Sequence, residues 1–228
     1  MARPPSRRAS SSDISRFLGT SKAITAVSKR RPRLIFAIDA TASRQPTWDT
    51  ASHLQRQMFQ VTSAQSTLCM QLCYYRGFHE FFASAWLSDS AALAQQMAQV
   101  YCEGGHTQIA RLLQHALEEH RNNRFRALVF IGDAMEENAG TLCQLAGDCG
   151  LRQLPLFLFQ EGESAAAQDT FQRMATLSGG AWARFNSGSA SVLAELLGAV
   201  ARFAAGGRKA LENNPSEGAK LLLSQLKP

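Results

Sequence analysis

Three short, unbroken apolar runs constrain this chain more than any other feature: Leu34-Ile35-Phe36-Ala37-Ile38, Ala127-Leu128-Val129-Phe130-Ile131 and Leu154-Pro155-Leu156-Phe157-Leu158-Phe159. A strand with one wet face alternates apolar and polar residues, so runs like these belong to strands covered on both faces. Helical periodicity fills the intervals. Pro46 opens a helix to about Val61, and Ser88-Asp89-Ser90 caps Ala91–Val100. Thr107 to about His120 carries Ile109, Leu112, Leu113, Ala116 and Leu117 at core spacing; Asn138–Cys149, Ala165–Leu177 and Ser189–Phe203 follow. With a further strand at Ala181–Phe185, strands alternate with helices, which predicts βαβ units. Leu68–Tyr75 and Phe78–Trp86 flank Arg76-Gly77, a break too short for a crossover, and predict an antiparallel hairpin at the sheet edge. The fold class is therefore α/β: a three-layer, doubly wound, mostly parallel sheet with one antiparallel edge strand.

Charge divides the chain of 228 residues unevenly. Residues 1–33 hold nine Lys/Arg and one acid, Asp13, a net of +8; the whole chain carries +6, so residues 34–228 carry −2. An opening such as MARPPSRRASSS cannot bury enough apolar surface to order itself. Residues 1–32 are read as a flexible basic leader, either a solvated tail or a contact for nucleic acid, an acidic partner or an anionic surface. Within it Ile14, Phe17, Leu18, Ile24 and Val27 lie loosely at helical spacing between Asp13 and Val27. The remainder carries no matching basic stripe, so nucleic acid is not the expected partner. Gly206-Gly207 reads as a boundary, giving a domain over 33–205 and a tail over 206–228 in which Lys220–Leu226 forms a short helix. No run approaches the roughly 18 apolar residues of a membrane helix, and no apolar core follows the basic opening as a secretory signal requires. Cys69, Cys73, Cys102, Cys143 and Cys149 form no CxxC pair, and four lie in apolar patterns where a reduced thiol behaves as a small hydrophobe. A cytoplasmic protein is expected.

In an open α/β sheet, ligands gather beyond the carboxyl ends of the strands, where the strand order reverses. That rule selects Asp39-Ala40-Thr41-Ala42-Ser43 after the first strand, Gly104-Gly105-His106-Thr107 before a helix, and Gly132-Asp133 after the strand Ala127–Ile131. Together they supply two carboxylates and three hydroxyls, and nothing soft. Mg²⁺, or Mn²⁺ in its place, is a hard octahedral ion that prefers oxygen and keeps several waters. Few charges and several neutral hydroxyls leave part of its charge free for a partner's acid. His106 lies at the rim of this region, and Glu136 and Glu137 read as either an outer layer around it or a solvated helix start. His115, His120, Glu118 and Glu119 lack the HExxH spacing, and the chain has no Walker A loop, no GxGxxG after a strand and no GxSxG elbow.

These same residues carry a resemblance. The chain, over about residues 33–205, resembles the von Willebrand factor A (VWA)/integrin I-like domains of the intracellular bacterial type, with their metal-ion-dependent adhesion site (MIDAS). Asp39-Ala40-Thr41-Ala42-Ser43 is similar to the family's DxTxS element, Gly104-Gly105-His106-Thr107 to its glycine-rich loop with a distant Thr, and Ile131-Gly132-Asp133 to its third element. The family usually has Gly after that last Asp, where this chain has Ala134. The resemblance implies a Rossmann-like fold in which Thr41, Ser43 and Thr107 bind the metal directly while Asp39 and Asp133 act through water. It also implies a non-catalytic adaptor that grips a partner's Asp or Glu through the metal, and that works beside an AAA+ ATPase or chaperone system. Two other readings stay open. One is a Mg²⁺-assisted phosphohydrolase, which lacks a nucleophile or a Lys/Arg clamp beside Asp39. The other is an RNA-binding scaffold that uses the basic leader.

Overall fold

The computed structural model describes residues 31–61, 68–186 and 189–227, with side chains of 55–61 excepted. The loosely periodic stretch Asp13–Val27 lies outside the described residues. Six strands form one sheet: β1 (Arg33–Asp39), β2 (Cys69–Arg76), β3 (Glu80–Ala83), β4 (Ala127–Gly132), β5 (Leu156–Glu161) and β6 (Ala181–Phe185). Their order is β3-β2-β1-β4-β5-β6. Only β2 and β3 pair antiparallel; β1–β2, β1–β4, β4–β5 and β5–β6 are parallel. The sheet is thus mostly parallel with one antiparallel edge strand, as the apolar runs and the short Arg76-Gly77 break predict.

Alternate residues of each strand feed two separate cores, which explains why the runs are apolar throughout. Leu34, Phe36 and Ile38 face one side, where helices α1 (Gln45–Val61), α2 (Ser90–Met97), α6 (Ala190–Glu212) and α7 (Glu217–Leu223) supply Trp48, Met97, Leu197 and Leu222. Ile35 and Ala37 face the other, against α3 (Ile109–Asn122), α4 (Ala139–Leu151) and α5 (Ala165–Ser178), with Leu113, Leu142 and Phe171. Caps fix several helix starts: Asp89 accepts from the backbone N–H groups of Ala91 and Ala92, and Asn138 from that of Thr141.

Two boundaries differ from those read in the sequence. The last long helix does not end near Phe203; it continues to Glu212 through a kink at Gly207, whose φ of 68° is open to glycine. The segment read as a tail folds back, burying Leu211, Ala219 and Leu222 in the first core. Helix α6 is long and apolar enough by length and composition to cross a membrane. Here Leu193, Leu196, Leu197 and Val200 pack into the core.

Candidate metal-binding site

The strand order reverses between β1 and β4, the first of which runs on to β2 and the second to β5. Asp39 ends β1, and Asp133 directly follows β4, so the switch itself brings the two carboxylates to one crevice. Asp39 is fully buried. Its Oδ1 accepts the Thr41 backbone N–H at 2.8 Å, and its Oδ2 accepts the hydroxyl of buried Tyr75 at 3.2 Å. The Ser43 hydroxyl donates to Asp133 Oδ2 at 3.2 Å. A turn of 3-10 helix, Ala42–Arg44, folds the DxTxS segment so that Ser43 reaches across to β4.

Burial pushes the Asp39 carboxyl up to about 6, the Thr41 hydrogen bonds pull the other way, and Asp133 adds repulsion. A carboxylate stripped of water and set beside another carboxylate favours a cation or a proton. Together with the neighbouring hydroxyls of Thr41 and Ser43, this donor set fits a hard divalent ion. Among the described residues no group of three or more His, Cys, Asp or Glu side chains is placed to hold a metal. Any ion here would rely on hydroxyls and water for its remaining ligands.

Thr107 is placed differently from the other four. Its hydroxyl donates to Glu137 Oε2 at 2.8 Å and accepts the Glu136 N–H at 3.0 Å. Glu137 Oε1 also accepts the Ala110 N–H at 2.7 Å, and Glu136 Oε2 accepts the Thr107 N–H at 3.2 Å and meets His106 Nδ1 at 2.9 Å. Glu137 therefore caps α3, whose own N-cap residue Gln108 makes no side-chain cap, while exposed Glu136 holds the loop that leads into it. The loop ahead of α3 is held against the site by the Glu103 N–H, which donates to the Ala40 carbonyl at 3.0 Å. It also requires Gly105, since a Cβ there would lie 1.8 Å from the Gly77 carbonyl oxygen. His106 is exposed at the rim, edge-on to exposed Phe78 with ring centroids 5.2 Å apart.

A cation that sequence reasoning missed sits in the crevice. Arg44 is buried, with Nη1 3.3 Å from Asp133 Oδ2 and Nη2 paired with buried Glu161, which Thr47 also contacts. Arg44 follows Ser43 directly, and Glu161 ends the apolar run of β5. An acid closing a buried strand beside a DxTxS-Arg segment was the available signal.

No protein-family model matches this sequence, and no curated protein does. Solved structures do. The VWA domain of SpRpn10 superposes with a TM-score of 0.58 at 14% identity, over 72% of this chain and 94% of that one. The vWF domain of the pili tip protein Mfa5 from Porphyromonas gingivalis gives 0.55 at 10% identity, over 75% and 94%. This is a von Willebrand factor A fold. Manganese-loaded TRAP from Plasmodium vivax also matches, with a TM-score of 0.52 at 14% identity over 72% of each chain. In the VWA fold of the present chain, the DxTxS segment and Asp133 lie where the sheet topology converges, and the loop bearing Thr107 closes one side.

Proposed function

We propose that this VWA domain is a non-catalytic protein-binding module in which Asp39, Thr41, Ser43 and Asp133, with Thr107 from the neighbouring loop, hold Mg²⁺ or Mn²⁺. The observation that carries the reading is the buried Asp39 carboxylate, set beside Asp133 and among hydroxyls at the switch point of the sheet. A bound dication would supply a Lewis-acidic position open to an acidic side chain of a partner. The chain's own residues do the rest. Asp39, held by Thr41 and Tyr75, fixes one edge of the site; Ser43 and Asp133 fix the other. Arg44 neutralises part of Asp133, which keeps the anionic charge low and leaves a bound cation able to attract a further carboxylate. The solved domains that share this fold, one of them manganese-loaded, support a binding role. Exposed aromatic side chains at the rim, Phe78 and Tyr101, offer the kind of anchors that interfaces favour. Thr107 would complete the ligand set only with its hydroxyl released from Glu137. We place the module in the cytoplasm, as an adaptor for an assembly machine of the AAA+ or chaperone class.

The test is calorimetric titration of EDTA-stripped protein with Mn²⁺ and Mg²⁺, beside Asp39→Asn. Saturable one-to-one binding that the substitution abolishes supports the reading. Equal binding by both proteins, or none by either, overturns it.

A further inference from the structure

The edge of the sheet opposite the crevice holds a second concentration of charge, of the other sign. Helices α3 and α4 both end there, and their last residues and those just after them line a cleft of about 380 Å³: His120, Arg121, Arg124, Leu151, Arg152 and Gln153. A smaller adjoining cleft adds Phe125 and Arg126. The net −2 of residues 34–228 averages over this local cluster. Four arginines from two stretches of chain, 121–126 and 152, line the two adjoining clefts.

Part of this charge has a plain structural explanation. Cations suit the C-terminal ends of helices, and the ends of α3 and α4 together present roughly one negative charge. Arg121 also lies 3.7 Å from Glu118, both well exposed. Setting these against four guanidiniums leaves a surplus of roughly two positive charges. Among the described residues Arg124, Arg126 and Arg152 pair with no carboxylate. The backbone supplies a second observation. Gln153 has φ 58°, the left-handed region, and is the one such non-glycine residue among those described. It occupies the position after the C-cap of α4, where its N–H donates to the Gly150 carbonyl and the Leu154 N–H to that of Cys149. Glycine fills that slot most readily. The chain instead keeps an amide side chain there, on the wall of the cleft. His120, buried beneath the cluster, is held below its ordinary value by burial and by Arg124 and Arg152, and its Nδ1 accepts the Phe125 N–H.

We infer that this cleft binds the phosphate group of a small phosphorylated ligand, of pyrophosphate to nucleotide size, through Arg121, Arg124 and Arg152 with Gln153 as a neutral donor. Guanidinium groups match phosphate oxygens in paired hydrogen bonds, and a surplus of about two charges matches a phosphate dianion. At about 380 Å³ the cleft has room for a phosphate-bearing small molecule, and apart from His120 its walls are exposed side chains. This inference is independent of the metal-binding reading, since no residue is shared.

The experiment is calorimetric titration of the full-length protein with pyrophosphate and with a nucleoside triphosphate, in EDTA at about 0.15 M salt, beside the double variant Arg124→Gln/Arg152→Gln. EDTA removes any anion binding that runs through a metal, and the basic segment 1–31 is retained in both proteins. The expected result is saturable one-site binding, weakened at least tenfold in the double variant. Tighter binding of the triphosphate than of inorganic triphosphate titrated beside it would place a nucleoside in the cleft, and equal binding of those two would limit recognition to the phosphates. Absence of saturable binding overturns the inference, as does equal affinity in the two proteins, which would assign binding to the leader. A single-stranded oligonucleotide that binds while pyrophosphate fails to compete overturns it too, because it would make the surface a polymer track.

Discussion

Replacing Asp39 by asparagine should make the metal-free protein more stable while destroying the site. Burial lifts the Asp39 carboxyl from its ordinary 3.8 to about 6. Each tenfold change in proton affinity is worth about 1.4 kcal/mol, so holding this carboxylate ionised at pH 7.5 destabilises the native state by about 3 kcal/mol. The amide removes the charge and keeps an oxygen for the Thr41 N–H. It loses the second carboxylate oxygen, so the buried Tyr75 hydroxyl must turn round or go unpaired, which costs about 1 kcal/mol. The expected net gain is about 2 kcal/mol, or about 4–8 °C in a domain of this size. Between 3.8 and about 6 the native state holds more protons than the unfolded chain, so the wild type loses stability as pH rises through that window. The substituted side chain does not titrate, so the gap is small near pH 4 and full above pH 7. Urea denaturation in EDTA at pH 4.5 and 7.5 reads both arms. A variant no more stable than wild type at pH 7.5, or a gap equal at the two pH values, refutes the reasoning. Saturating Mn²⁺ should close or reverse the gap, since about 100-fold excess over Kd adds roughly 2.7 kcal/mol to the wild type alone.

Arg44→Gln leaves Glu161 buried without its cation and should cost about 3 kcal/mol in urea denaturation. In the fraction that folds, Mn²⁺ affinity should rise, because Asp133 loses a competing positive charge. Gly105→Ala should lower stability by about 2 kcal/mol or more by driving the loop off the Gly77 carbonyl, read in the same assay. Gln153→Gly relieves the left-handed backbone and should stabilise the domain by about 1 kcal/mol, while weakening pyrophosphate binding in calorimetry.

The sheet was legible because burial on both faces writes itself as continuous hydrophobicity: Leu34–Ile38 and Ala127–Ile131 could hardly be anything else. Asp39 and Asp133 were legible for a related reason, since a strand that must end at a switch point announces where its last residue goes. What escaped was the pairing of charges between distant elements. Nothing in the spacing of Arg44 and Glu161 tells that they meet across 117 residues. Glu136 and Glu137 precede α4, and helix-dipole reasoning assigns them there, yet Glu137 caps α3, whose N-cap residue makes no side-chain bond, and Glu136 binds the loop ahead of it. The C-terminal segment is misleading at Gly206-Gly207: a glycine pair is as good a hinge as an ending, and the apolar positions Leu211, Ala219 and Leu222 beyond it were the sign that the chain returns.

The two charged regions share one cause, and separating that cause from function decides what each is for. In a parallel sheet the strands run one way and the crossing helices run back, so each helix that joins two parallel strands starts at the carboxyl edge and ends at the amino edge. Dipoles alone then favour acids such as Glu136 and Glu137 at one edge and bases such as Arg121 and Arg152 at the other. A dipole end is worth about half a charge, however, and is satisfied by a single partner. Asp39 exceeds that need, for it is buried at a strand end with no helix to stabilise and is driven toward protonation by its surroundings. Arg124 and Arg126 exceed it at the opposite edge, where they lie beyond the last turn of α3 and face no carboxylate among the described residues. Exposed charge is satisfied by water and salt, whereas a buried charge such as that of Asp39 calls for a partner or a proton. On the two readings proposed above, the counter-ion at the carboxyl edge is a cation and at the amino edge an anion, and the two sites share no residue.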